Sequence, residues 1–233
     1  MKLAFSAIMA LAAICVLPAV CEYTADNWSA EARQFSLNGD YEKAIASYDR
    51  ALELDNSNAT LLIGKGLALA NLGKFSEAID TFDQALVSNS SNADIWYFKG
   101  LALSMGLEKY EEGISSFDKA LEINPDYYDA WMSRGLALGN IGKLDDSLAS
   151  FEVAIRINPL DPKSWNNKGV VLLKQGKYQD AQLSFDKALK LDPDYVVAQE
   201  NKKLIQQDPI QDNFYELDEI LYRAKQREGS LML

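Results

Sequence analysis

The most constraining feature of this sequence is an internal repeat with a period of 34 or 35 residues. Tryptophan marks the register in four of the five copies, and leucine stands at that place in the second copy. The residues at this place are Trp28, Leu62, Trp96, Trp131 and Trp165. An aromatic residue recurs in the same register at Tyr48, Phe82, Phe117, Phe151 and Phe185. Self-similarity at such a period is typical of arrays of small structural units.

Each copy contains two stretches with helical periodicity, and each stretch is long enough for about three turns. In the fifth copy we expect these helices over Lys163–Gln175 and Tyr178–Leu191. A glycine between the two stretches can take the left-handed conformation that ends a helix. These glycines are Gly39, Gly73, Gly106, Gly142 and Gly176. The sequence therefore predicts helical hairpins that stack on one another, because one hairpin cannot bury both of its faces.

Tryptophan, a small residue, an aromatic residue, alanine and proline at fixed places in each copy closely resemble the tetratricopeptide repeat. The resemblance covers residues 25–195, with one extra residue near Gly106–Lys109 in the third repeat. It implies an all-α fold, a right-handed α-solenoid of five helical hairpins. The repeats are 25–58, 59–92, 93–127, 128–161 and 162–195, and we expect a polar C-terminal capping helix over 196–207.

Small residues recur where the two helices of a hairpin should cross. On the first helix they are Gly66, Gly100, Gly135 and Gly169. Alanines such as Ala78 and Ala181 recur on the second helix. Small side chains on both helices predict a close approach, so a bulkier residue should overpack the contact and cost about 1–3 kcal/mol.

Charged residues also follow the repeat. A base occupies one place of the first helix at Lys65, Lys99, Arg134 and Lys168, and Lys202 continues the series. An acid precedes each base by sixteen residues, at Asp49, Asp83, Asp118, Glu152 and Asp186. The first repeat has Glu31 at the place of the base, and no repeat precedes it. We therefore predict ion pairs between the second helix of one repeat and the first helix of the next, the alternative being separately solvated surface charges.

The resemblance implies a partner site on the concave face, which the first helices line in this family. The positions that would point inward are Ser29, Arg33, Ile63, Leu67, Tyr97, Leu101, Met105, Met132, Leu136, Asn140, Asn166, Val170 and Lys174. The middle of this groove is apolar and suits a helix or an extended peptide with an apolar face. The alternative is that many of these positions are partly buried and structural.

The groove lacks most of the lysine and asparagine pattern with which chaperone-binding relatives hold a terminal carboxylate. That pattern has matches in the fifth repeat alone, at Lys163, Asn166, Asn167 and Lys174. The sequence therefore argues against a chaperone tail as the partner.

The composition argues against catalysis and against nucleic acid as a partner. The net charge is −11, and nucleic acids and anionic lipids are bound through lysine and arginine. The chain has no histidine, the commonest general base and zinc ligand, and its two cysteines, Cys15 and Cys21, both lie in the N-terminal apolar segment. Carboxylates are spread along the repeats, and no phosphate-binding glycine loop is present. We expect a non-enzymatic protein without a cofactor.

Residues 1–21 have the pattern of a signal peptide or an N-terminal anchor. Lys2 precedes the apolar run from Leu3 to Val20, and small residues allow cleavage after Cys21. An uncleaved anchor and lipidation at Cys21 remain alternatives. All three predict an extracytoplasmic body that is secreted, periplasmic or at the cell surface. Contact with a membrane is expected only through this segment, if it is uncleaved or lipidated.

Residues 208–233 form a second terminal region with an amphipathic pattern. Phe214, Leu217, Leu221 and Ala224 recur at helical spacing. This tail could pack as one more capping helix, or it could occupy the groove of this chain or of a partner. The sequence thus favours a scaffold that binds a protein or peptide through its groove. The alternative is a structural or self-associating element that uses the tail or the N-terminal segment.

Overall fold

The computed structural model describes residues 23–207 as a stack of helices with no strand in that range. The predicted signal segment and the C-terminal tail lie outside the described residues. Five helical hairpins are followed by one further helix. The helices are α1 (Ala25–Leu37), α2 (Tyr41–Leu54), α3 (Ala59–Asn71), α4 (Phe75–Ser88), α5 (Ala93–Leu101), α6 (Tyr110–Ile123), α7 (Tyr128–Asn140), α8 (Leu144–Ile157), α9 (Pro162–Lys174), α10 (Tyr178–Leu191) and α11 (Val196–Gln207). The predicted all-α solenoid is confirmed.

Four of the five helices that open the repeats, α1, α3, α5 and α9, are capped by short polar side chains, whereas Tyr127 before α7 makes no such hydrogen bond. The Asn58 side chain accepts the backbone N–H groups of Thr60 and Leu61, and the Asn92 side chain accepts that of Asp94. Asp161 accepts the N–H of Lys163 at 2.9 Å, and Pro162 occupies the first turn of α9, where its missing N–H costs nothing. These caps mark the start of four of the five repeats.

Glycines end the first helix in four of the five hairpins, as predicted. Their φ angles lie between 73° and 79° at Gly39, Gly73, Gly142 and Gly176. Only glycine takes this left-handed conformation without steric cost. The chain can therefore reverse direction within a few residues, and the two helices of a hairpin pack side by side.

The third repeat departs from this rule, and the prediction for Gly106 is wrong. The extra residue is absorbed by a π-helical segment, Ala102–Gly106, that follows α5 directly. The left-handed residue is Glu108, with a φ of 56°. A Cβ on Gly106 would lie closer than 3.0 Å to the ring of Phe75. Gly106 thus serves a close contact with the preceding repeat, while the turn has moved two residues along the chain.

In hairpins two to five, the core is a phenylalanine of the second helix seated on a glycine of the first helix. Phe82, Phe117, Phe151 and Phe185 are fully buried. A Cβ built on the facing glycine would lie closer than 3.0 Å to the ring in each case, at Gly66, Gly100, Gly135 and Gly169. The predicted close approach is confirmed, and it leaves no space for even one methyl group without movement of the ring.

The tryptophans attach the loops between repeats to the first helices. The indole N–H of Trp96, Trp131 and Trp165 donates to the backbone oxygen six residues earlier, at 2.8–3.0 Å. Gln199 occupies the equivalent place in α11, and its side-chain amide donates to the oxygen of Pro193 at 2.7 Å. The helix α11 is therefore built like the first helix of a sixth repeat, with a polar residue in the tryptophan place.

All five predicted ion pairs between repeats are present. The bases contact the acids at 2.5–2.8 Å, in the pairs Lys65–Asp49, Lys99–Asp83, Arg134–Asp118, Lys168–Glu152 and Lys202–Asp186. Arg134 also donates to the hydroxyl of Ser150 at 2.7 Å and lies over the ring of Trp131. Each pair joins neighbouring repeats at the same place, so the pairs mark the stacking register from the first repeat to α11.

Candidate protein-binding groove

The first helices of the repeats form one wall of the solenoid, which we call the inner wall. Among alternate helices, direct packing is found for α1 with α3, α7 with α9 and α9 with α11, all on this wall. Side-chain hydrogen bonds join α7 to α9 and α9 to α11 on the same side. Helices on the inside of a curved stack approach each other more closely than those outside. This packing is what first helices on the concave side would show.

Apolar side chains form a stripe along the inner wall, one or two from each of repeats two to five. The apolar stripe consists of Leu67, Leu101, Met105, Leu136 and Val170. Met105 is 58% exposed and Leu136 is 40% exposed, while the other three are half-buried. Met105 belongs to the π-helical segment of the third repeat. Exposed apolar side chains in a row offer a surface for an apolar face of another molecule.

Other predicted groove residues pack within the wall instead. Tyr97 and Met132 contact neighbouring helices. The Tyr97 ring lies 5.0 Å from the Tyr127 ring, and its hydroxyl is hydrogen-bonded to Ser133. The sulfur of Met132 accepts the hydroxyl of Ser164 at 3.3 Å. Tyr97 and Met132 are half-buried and line the stripe while holding the wall together. Ile63 in α3 is also half-buried and packs against the core of the second repeat.

Asn166 was predicted to face the groove, but its side chain is closed to solvent. It is 2% exposed, and its amide oxygen accepts the side-chain amide of Asn201 at 2.9 Å. The reason is that α11 covers this part of α9. Ser29 is similarly buried, and Arg33 donates to its hydroxyl at 2.9 Å.

Two further predicted residues lie at the C-terminal ends of their helices. Asn140 at the end of α7 is exposed, and Lys174 at the end of α9 is half-buried. The structure thus brings the predicted residues of repeats two to five onto one wall but divides them by role. Leu67, Leu101 and Leu136, with Met105 and Val170, form its surface.

Beside the stripe, the predicted residue Tyr97 belongs to a group of tyrosines and carboxylates whose other members the sequence analysis missed. The Tyr127 hydroxyl donates to Asp94 at 2.8 Å. Burial, followed by this hydrogen bond and the negative charge of Asp94, raises the pKa of Tyr127 far above its ordinary value. Asp129 is close enough to raise the pKa of Tyr97 and of Tyr127 as well. We call Asp94, Tyr97, Tyr127 and Asp129 the acidic corner.

A second contact between a tyrosine and a carboxylate joins the fourth repeat to the residues that open the fifth. The Tyr128 hydroxyl is hydrogen-bonded to Asp161, and it lies 2.7 Å from the Ser164 hydroxyl. Burial first, and then the hydrogen bond to Asp161, raise the pKa of Tyr128. The sequence carries one signal for the acidic corner, because an acid recurs two residues before the tryptophan place at Asp26, Asp94 and Asp129.

Within residues 23–207, no three potential metal-ligating side chains come together. In the same range, no helix combines the length and the apolar composition needed to span a bilayer. The inner wall is the candidate site in the described part of the chain.

Family models of the tetratricopeptide repeat match residues 162–195 and, in overlapping segments, residues 29–93, 63–104 and 104–162. The chain belongs to the tetratricopeptide repeat family. This tetratricopeptide repeat protein is 31% identical to YrrB, whose crystal structure is described as that of "a TPR protein with an unusual peptide-binding site". The alignment covers 78% of this chain and 93% of YrrB, with a TM-score of 0.66.

This tetratricopeptide repeat protein also resembles crystal structures of MamA in fold. One MamA structure is 23% identical, with 74% of this chain and 93% of that chain covered and a TM-score of 0.67. MamA from Desulfovibrio magneticus RS-1 is 20% identical, with 73% and 96% covered and a TM-score of 0.68. At these identities the likeness shows the fold alone. Among curated proteins, no significant match is found.

Proposed function

We propose that this protein is a non-enzymatic scaffold that binds another protein or a peptide through the apolar stripe. The observation that carries the proposal is the exposure of Met105 and Leu136 on the inner wall. These two face solvent beside half-buried apolar neighbours on one wall, whereas other exposed apolar residues, such as Leu54, Val87 and Leu183, lie on second helices. A helix or an extended segment with an apolar face would cover them.

The family and the structural relative support this proposal. Tetratricopeptide repeat proteins are generally scaffolds, and YrrB has a peptide-binding site according to the description of its structure. The inner wall is also held in place before a partner arrives, because Tyr97, Met132 and Asn166 link neighbouring helices. A preorganised wall loses little conformational entropy on binding.

The test compares two aspartate substitutions of exposed leucines. Leu136→Asp places a charge in the apolar stripe, while Leu183→Asp places one on α10, outside the inner wall, where Leu183 is 64% exposed. We expect crosslinking in native extract to lose the partner with Leu136→Asp and to retain it with Leu183→Asp. Circular dichroism should show both variants folded.

The same pair of variants separates the scaffold from a self-associating element. Light scattering should give one oligomeric state for the wild type and for both variants. Retained capture by Leu136→Asp would contradict the proposal. A change of oligomeric state in Leu136→Asp alone would instead favour self-association.

We further propose that the protein acts outside the cytoplasm. The apolar run that follows Lys2 supports this location, because such a run is typical of a secretory signal. Mass spectrometry of the protein from its native source should find Glu22 as the first residue, or a lipid on Cys21. An intact, unmodified Met1 in the cytoplasmic fraction would contradict the location and leave the scaffold proposal standing.

A further inference from the structure

We propose that the groove at repeats three and four selects a partner segment in which lysine or arginine flanks the apolar side chains. The inference rests on the proposed function, since it names the chemistry of the partner bound by the same surface. It follows from the position of the acidic corner beside the apolar stripe and from the pairing of the nearby cations.

The carboxylates of the acidic corner are exposed and lie in the first turns of neighbouring first helices. Asp94 belongs to α5 and Asp129 to α7. The same two helices supply Leu101 and Leu136 to the apolar stripe. A segment lying along the stripe would therefore have this pair of acids at one edge.

The basic residues of these two helices already form ion pairs with other acids. Lys99 of α5 pairs with Asp83, and Arg134 of α7 pairs with Asp118, both in the preceding repeat. Within residues 23–207, neither Asp94 nor Asp129 forms a salt bridge to this chain. The polar contact of Asp94 is the neutral hydroxyl of Tyr127. Within the described residues, the acidic corner thus has no cationic side chain at ion-pair distance, and a partner would supply one.

The aromatic rings strengthen the preference for a cation. Tyr97 and Tyr127 lie 5.0 Å apart at an interplanar angle of 42°, next to the two carboxylates. Aromatic faces attract ammonium and guanidinium groups, and the carboxylates add their charge in the same direction. Burial is the main cause of the raised pKa of both tyrosines, and the charge of the neighbouring carboxylates raises it further.

A partner with acidic flanks fits this surface poorly. Its carboxylates would meet Asp94 and Asp129 as like charges. Asn166, one of the amides that could bind a carboxylate, is buried against Asn201. The net charge of −11 adds a long-range attraction for basic segments over acidic ones.

The test uses three labelled amphipathic peptides of about four helical turns that share one leucine pattern. Their polar positions are all lysine, all glutamine or all glutamate. Fluorescence anisotropy with the full chain, at near-physiological salt, should rank the affinities as lysine, then glutamine, then glutamate. The double variant Asp94→Asn/Asp129→Asn should weaken binding of the lysine peptide about three- to tenfold and leave the glutamine peptide unchanged.

A matched control removes the same charge elsewhere. Glu42→Gln/Glu111→Gln changes two exposed acids at the starts of α2 and α6, on the second helices. We expect this double variant to bind the lysine peptide within about twofold of the wild type. An equal loss in both double variants would overturn the proposal, because the attraction would then come from net charge and not from the acidic corner.

A substitution in the apolar stripe distinguishes failure of the charge preference from failure of the groove. Leu136→Asn should weaken all three peptides by a similar factor. Equal affinity for the lysine and glutamine peptides, with both lowered by Leu136→Asn, would overturn the charge preference and leave the scaffold standing. Absence of binding, or binding that ignores Leu136→Asn, would overturn both proposals.

Discussion

The ion pairs between repeats should stabilise the stacking by a measurable coupling free energy. The pair Asp118–Arg134 is the best one to test. The two side chains meet at 2.6 Å, and they are 46% and 22% exposed, respectively. Unit charges about 4 Å apart interact by about 1 kcal/mol in water and about 4 kcal/mol at a surface of lower effective dielectric constant. Because the carboxylate is nearly half exposed, solvent screens the pair toward the lower value. We expect a coupling free energy of about 1 kcal/mol.

A double-mutant cycle measures this coupling. Asp118→Asn, Arg134→Gln and the double variant are unfolded in urea and followed by circular dichroism. Arg134→Gln also removes the contacts to Ser150 and Trp131, but these losses occur in both arms of the cycle and cancel. The slope of the free energy of unfolding with urea should stay constant across the four proteins, since the exposed surface hardly changes.

The control is an ion pair on the same helix that joins no repeats. Lys119 and Glu122 meet at 2.7 Å on α6, three residues apart, and both are more than half exposed. Pairs of this kind couple by about 0.2–0.5 kcal/mol. High salt should lower both couplings. If the coupling of Asp118 with Arg134 does not exceed that of the control, the pairs do not stabilise the stacking of repeats.

Two further predictions concern glycines and the turn of the third repeat. Gly135→Ala should lower the free energy of unfolding by about 1–3 kcal/mol, because its Cβ would lie 2.8 Å from the Phe151 ring. Gly139→Ala on the same helix should cost much less, since its Cβ would meet only the Ser147 hydroxyl, at 3.3 Å, and alanine favours helix. Glu108→Gly should raise the free energy of unfolding by about 1 kcal/mol by relieving a left-handed φ of 56°, whereas Gly142→Ala should lower it by a similar amount. Urea unfolding measures all four variants, and a stabilising Gly142→Ala or a strongly destabilising Glu108→Gly would contradict the backbone argument.

The partner-binding surface was only partly predictable from the sequence. Periodicity identified the leucines of the apolar stripe, because their place on a first helix repeats from one copy to the next. It also selected Asn166, whose burial depends on Asn201, thirty-five residues away in a helix where Gln199 replaces tryptophan. Tyr127 was not selected, because it lies just before α7 and its contact with Asp94 depends on the packing of two repeats.

The sequence by itself determined the helical repeat, the seating of phenylalanine on glycine and the ion pairs between neighbours. These features depend on residues at fixed spacings within one repeat or across a single loop, so the same pattern gives the same contact each time. The tertiary structure alone decided the fate of the extra residue in the third repeat. The extra residue lies in the π-helical segment, where Gly106 packs closely on Phe75, and the left-handed position is Glu108. The tertiary structure also decided which inward positions remain exposed to solvent. Burial by a neighbouring helix depends on the stacking of repeats and not on one repeat.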